Sequence, residues 1–280
     1  MSSEFLALVY GIASAISWGA GDFTGGFACR RTNVYSVVLF SQLAGLASIL
    51  LLAWGFHEPV PASANWLFPG IAGIAGALGL MALYSALASG RMGIVAPLSA
   101  VITAVLPVCV GLVTDGLPGW TTMLGFGLAL PAVWLLTRTE QHEAIHMREI
   151  YLALLAGGGF GLFFTLMGQA ENSAVTWSLV AARIASLSIL VVVALVFKQG
   201  RIPDTAQIPP ILLAGLLDTG GNAFFMLAAQ AGRLDISAVL ASLYPASTVI
   251  LARFVLKEHV CPYQWSGIGI ALLAILLIAL

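Results

Sequence analysis

Apolar residues fill the chain in roughly ten stretches, each about the 20 residues a helix needs to cross a bilayer. Short clusters of charged residues, Pro and Asn part them. The pattern predicts helices over 5–28, 34–55, 67–88, 94–114 and 120–137. A second set follows over 150–170, 177–197, 208–230, 236–256 and 263–280.

The second five stretches retrace the first five at a constant offset of 142 residues, as from Gly79 to Gly221. Ala86, Gly90, Arg91, Ile94, Ala96 and Leu98 are answered by Ala228, Gly232, Arg233, Ile236, Ala238 and Leu240. Gly19, Gly73, Gly125 and Gly127 are answered by Gly161, Gly215, Gly267 and Gly269. Chance identities are common in a chain so rich in Ala, Gly and Leu, so clustering around the Gly-Arg corner matters more than their total. Five spans per half would turn the second half upside down in the bilayer. Inverted repeats around a mid-membrane site are the usual architecture of alternating access, which points to a transporter. The expected organisation is a five-helix repeat over 1–138, a polar linker over 139–149 and a second five-helix repeat over 150–280.

Composition narrows the class. Of 280 residues, 60% are hydrophobic and 8% charged, against about a quarter charged in soluble domains. Ten spans leave no room for a separate soluble domain. A formal net charge of -1 without any basic run argues against a nucleic-acid partner. Cys29, Cys109 and Cys261 show neither CxxC pairing nor zinc spacing, so no metal or cofactor is called for. The first residues lack the positive segment of a signal peptide, so the first stretch is expected to stay as a helix. Most Lys and Arg lie in or beside loops that follow odd-numbered spans, which by the positive-inside rule puts both termini outside.

Ionisable residues within spans are costly and call for a reason. Ser14, Trp18 and Asp22 recur every four residues on one face of the first span. An aromatic beside a carboxylate suits an amine or other cation, although a position near the span end would simply let Asp22 meet water. Phe160 and Phe164 occupy the matching places in span 6 and are expected to form an apolar wall. Asp218 and Asn222 pair in span 8 as a substrate or proton site. Arg183 in span 7 could pair with a carboxylate group or a partner acid, but reads mainly as a snorkelling structural residue. Pro97 and Pro107 in span 4 and Pro245 in span 9 should loosen their helices and act as hinges. Gly70, Gly73, Gly76 and Gly79 are expected to permit close helix contact.

Gly19-Ala20-Gly21-Asp22 fits the GxGD pattern of intramembrane aspartyl proteases, but the Tyr-Asp pair of those enzymes is missing. Asp218-Thr219-Gly220 belongs in soluble form to a β-rich fold that this chain excludes. With no GxSxG, HExxH or P-loop, a non-enzymatic reading is favoured.

Leu256-Lys257-Glu258-His259 followed by Gln264-Trp265 and Gly267-Ile268-Gly269, together with Trp18-Gly19, Ala182-Arg183 and Pro245, resembles the EamA-type members of the drug/metabolite transporter superfamily. The first half departs from that pattern, with Gly116 opposite Glu258 and Ser41 opposite Arg183. The resemblance implies ten spans in two five-helix repeats and secondary transport of small metabolites, often outward and sometimes proton-linked. It also implies cytoplasmic termini, against the Lys and Arg count.

The expectation is therefore an all-α integral protein of a bacterial inner membrane that moves a small-molecule substrate, such as an amino acid or amine. The cavity should be lined by Trp18, Asp22, Tyr84, Ser99, Thr103, Phe164, Asp218, Asn222 and Tyr244, with Asp218 the preferred recognition or coupling acid. The lipid bilayer is the expected partner, proton coupling is open, and duplication makes a monomer sufficient. Alternatives are a flippase for a lipid-linked carrier and, remotely, an intramembrane aspartyl protease.

Overall fold

The structure is a computed structural model that describes residues 3–55, 57, 60, 66–88, 92–136, 147–169, 175–198, 202–255 and 261–279. Among these residues all regular structure is helical: α1 (Ser3–Cys29), α2 (Val34–Gly55), α3 (Leu67–Ala88), α4 (Met92–Thr114), α5 (Trp120–Leu136), α6 (Met147–Gly168), α7 (Val175–Val196), α8 (Ile208–Ala231), α9 (Leu234–Ala241), α10 (Tyr244–Val255) and α11 (Pro262–Ala279). Helices satisfy their own backbone polar groups, which lipid cannot do, so an apolar chain of this kind has little other choice. Among the described residues, seven segments are long and apolar enough to cross a membrane: Ser3–Cys29, Val34–Gly55, Leu67–Ala86, Ile150–Gly168, Val175–Val196, Thr205–Ala231 and Leu234–Val255. The other three expected spans coincide with shorter apolar helices, Ser99–Thr114, Trp120–Leu135 and Pro262–Ile278.

Local signals set the ends. Asn33 opens α2, its Oδ1 accepting from the Tyr35 N–H at 2.9 Å. Gly116, with φ +76, takes the left-handed conformation just past α4, where a side chain would be strained. Pro209 and Pro210 sit in the first turn of α8, where no N–H is needed. α6 starts at Met147, three residues earlier than expected; the rest of the expected linker lies outside the described residues.

The three prolines expected to loosen their helices differ in their surroundings. α4 runs unbroken through Pro97 and Pro107; the Pro97 side chain lies outside the described residues, and Pro107 is buried. Span 9 is instead two helices, broken at Ser242 and Leu243. Pro245 cannot donate to the Ala241 carbonyl and its ring would collide with it, and here the helix restarts. The seam is held by hydroxyls: Ser247 Oγ lies 2.8 Å from the Tyr244 carbonyl and 2.9 Å from that of Ala15 on α1, and Thr248 Oγ1 donates to Gly19 at 3.0 Å.

α1 runs antiparallel to α8, with Ser14 donating to the Gly221 carbonyl at 2.8 Å and Ser17 to Leu217 at 2.7 Å. α3 packs along α6, α2 against α7 and α8, α3 against α7, α4 against α6 and α9, and α5 against α11. Shifting the numbering by 142 exchanges many of these contacts: α1 with α8 becomes α6 with α3, and α2 with α8 becomes α7 with α3. The close approaches follow suit. A Cβ on Gly221 would strike the Trp18 ring, and one on Gly79 would press on Phe160. Gly70 departs from its expected role, having nothing within 4 Å.

At one end of the bundle Arg233, just before α9, ties the two halves together. It pairs with the fully buried Asp235 at 2.9 Å and donates to the Asp115 and Gly116 carbonyls past α4 at 3.0 and 2.5 Å. Its hydrogen bond to Asp235 keeps its pKa above the usual arginine value. Arg233→Gln should lower the thermal midpoint in detergent by an amount equivalent to about 1 kcal/mol, since Asp235 keeps its bond from the Ile236 N–H. No change in midpoint would show that the clamp contributes nothing.

Candidate functional site

A cavity of about 670 Å³, counted with its open mouth, lies among the middle turns of the helices. Its lining includes Trp18, Asp22, Gln42, Thr103, Phe164, Arg183, Asp218, Asn222 and Tyr244. Seven of the nine residues expected in the wall are therefore in it. Tyr84 and Ser99 are not. Tyr84 is buried in a side cluster with Ala28, Val37 and Val38, its ring hydroxyl against Gly25. Ser99 is fully buried, and its carbonyl accepts from Thr103 Oγ1 at 2.8 Å. Both sit on helices that contribute to the wall, but on turns facing a neighbouring helix.

The charged groups form one network. Arg183 donates through Nη1 to Gln42 and through Nη2 to Asp218 at 2.5 Å and Thr219 at 3.0 Å. Ser186 adds a bond to Gln42 Oε1 at 3.1 Å, and Asn222 Nδ2 lies 3.4 Å from Asp218. The Arg183 side chain is 6% exposed and that of Asp218 22%. The snorkelling expectation for Arg183 is thus overturned: the guanidinium is turned inward and neutralised by Asp218. A buried cation keeps its charge only with such a partner. Gln42 was missed altogether, although an amide in an otherwise apolar span was a usable signal.

Asp22 stands apart. It is half-buried, lines the cavity and has no hydrogen-bond partner among the described residues. α1 continues for two turns beyond it, so it does not sit at the helix end. Its charge is felt by Asp218, but no hydrogen bond joins the two acids among the described residues, so they do not form the shared-proton dyad of an aspartyl protease. The Tyr244 hydroxyl is buried beside Ser99.

Aromatic rings line much of the rest of the cavity. Trp18 stacks on Phe164 at 5.0 Å and Phe164 on Phe225 at 4.4 Å, with Phe163 edge-on to Phe164 at 6.1 Å. Such pairs add about 0.5–1.5 kcal/mol each beyond area burial and hold the rings in place. Phe160, Phe163 and Phe164 all reach the cavity, as expected for the first and last of them. Phe225 is fully buried behind it.

A bundle of apolar helices with a polar cavity at mid-depth is the construction of a membrane carrier. The chain belongs to the EamA-like transporter family, whose profile matches residues 5–138 and again 147–280. It is an integral membrane protein of transporter type. The Leu256–His259 part of the earlier resemblance lies outside the described residues. Over 88 residues the chain is 40% identical to a Bacillus subtilis (strain 168) protein described as uncharacterized transporter YdfC. That match takes in 30% of this chain and 28% of the relative, so the chain spans under a third of that relative's length. A solved structure titled only as the crystal structure of a protein matches with a TM-score of 0.77 over 97% of this chain and 95% of its own. At 11% identity it supports the fold alone.

Proposed function

We propose that this protein is a secondary transporter of small organic metabolites, amino acids or amines, working by alternating access of two inverted five-helix repeats. The observation that carries this is the unpartnered Asp22 beside Trp18 in a cavity walled by aromatic rings. A carboxylate at that depth is retained where something positive comes to meet it. The exchange of helix contacts on shifting by 142 residues, and a family profile that matches twice, support two repeats of 1–138 and 150–280. Ten spans follow if the three shorter apolar helices also cross. Outward transport and residence in a bacterial plasma membrane are what the family resemblance and the Bacillus relative suggest.

Asp22 takes the place that Asp218 held in the sequence analysis. Asp218 already has a cation, whereas Asp22 has none among the described residues. The charged wall also weighs against a lipid-linked carrier as cargo.

Purified protein in detergent, heated with amines, amino acids, sugars and nucleotides at two pH values, tests this. A compound that binds the folded state raises its thermal midpoint. Stabilisation by amines or amino acids, weakened about tenfold or more by Asp22→Asn, is the expected outcome. Stabilisation that survives the substitution would remove Asp22 from the site.

A further inference from the structure

The repeat has been broken in a directed way at the cavity. Positions that exchange on shifting by 142 residues carry opposite chemistry: Asp22 answers Phe164, Asp218 answers Gly76, Thr219 answers Ala77 and Asn222 answers Leu80. All except Thr219 line the cavity. The duplicated frame therefore presents a charged wall built on α1, α7 and α8 and an apolar wall built on α3 and α6.

The charges on that wall do not balance. Asp22 and Asp218 supply two negative charges when ionised, and Arg183 one positive charge. Both Arg183 terminal nitrogens are engaged, with Gln42, Asp218 and Thr219. A zwitterion's carboxylate would have to displace Asp218, leaving that acid without a partner in a medium that screens charge poorly. An incoming cation only has to reach Asp22.

Resting on the cation reading of the cavity, we propose that the Arg183–Asp218 pair sets the charge selectivity. Asp218 occupies the place a substrate carboxylate would take, so the cavity selects an organic monocation with an apolar group over a zwitterion. Arg183 and Asp218 are specificity determinants, and Asp22 is the contact for the ammonium. Among the described residues, the ionisable groups near Asp218 and Asp22 are each other, Arg183 from α7, Tyr84 from α3 and Tyr244 from α10. At neutral pH an uncharged tyrosine leaves the balance unaltered.

Freeing Arg183 should then change the ligand class. Asp218→Asn leaves Arg183 free to meet a carboxylate and Asp22 to meet an ammonium, which complements a zwitterion. The test compares leucine with 3-methylbutylamine, which differ by one carboxylate, binding to detergent-purified protein at pH 7. The wild type should prefer the amine by about tenfold or more, and D218N should move that ratio toward leucine by about tenfold. R183M/D218N, which removes both charges and guards against a poorly folded single variant, should keep the amine preference. Asp22→Asn should weaken the amine in every background.

Leucine bound by wild type as tightly as the amine, or an unchanged ratio in D218N with amine binding still dependent on Asp22, would overturn the selectivity proposal and leave the cation site standing. Failure of both probes on wild type and both variants would overturn the two together.

Discussion

Replacing Arg183 with Met should cost about 3 kcal/mol of stability, the lower end of what removing one partner of a buried ion pair costs. Three acceptors on two helices, Gln42, Asp218 and Thr219, depend on this guanidinium. Without it the Asp218 carboxylate keeps only the long contact from Asn222. Gln42 retains Ser186 and Thr219 can still donate to the Gly215 carbonyl, so the loss falls mainly on the acid. Because Asp218 is 22% exposed toward the cavity, water recovers part of the penalty. Removing the acid as well should restore most of the loss, since an uncompensated charge is worse than none. Thermal unfolding of the single and double variants in detergent measures the coupling directly. A single variant as stable as wild type would show the pair to be solvated.

Gly73→Val should be at least as damaging, about 3 kcal/mol or more, while Gly70→Ala three residues away should have little effect. A Cβ on Gly73 would run into the Ala182 carbonyl of α7, a backbone atom that cannot rotate aside. The only relief is to push α3 from α7, which separates two walls of the cavity. Overpacking of a fitted interface typically costs about 1–3 kcal/mol, and a β-branched residue against backbone lies at the upper end. Gly215 stands in the same relation to the Ser41 carbonyl of α2, and Gly215→Val should behave alike. The yield of monodisperse protein after extraction and its melting midpoint give the comparison. Equal behaviour at positions 70 and 73 would contradict the packing.

The same four glycines mark where the sequence stops being legible. Spacing of three residues along α3 announced close helix contact, and three of the four make it. Gly70 looks identical in sequence but faces open space, because the neighbouring helices do not reach that turn. Pro97, Pro107 and Pro245 were alike on paper as well. Only Pro245 breaks its span. Ser247 and Thr248 near the break bond carbonyls of α1 as well as Tyr244, so the restarted helix is anchored. A proline removes one bond wherever it stands; whether the helix continues depends on what surrounds it.

Helix positions, by contrast, were readable nearly to the residue: α2 and α3 begin and end where the apolar runs do. Lipid and packed helices demand the same thing of every residue, which is that it be apolar, and that demand is written locally. The twofold pattern was readable for the same reason, as a comparison of the chain with itself. Seven of the nine expected wall residues also followed from helical periodicity, the repeat offset and the prolines, since polar residues in spans turn away from lipid.

Partnership was not readable. Arg183 and Asp218 are 35 residues apart and Arg183 and Gln42 are 141 apart, and no local pattern tells which of two aspartates meets the arginine. The sequence by itself determined an all-helical, membrane-embedded chain, its doubled pattern and the small set of polar residues held within it. Only the tertiary structure decided that Asp218 is neutralised and Asp22 is not. Hydrophobicity is a property of each residue, whereas the fate of a buried charge depends on what the rest of the fold brings within about 4 Å of it.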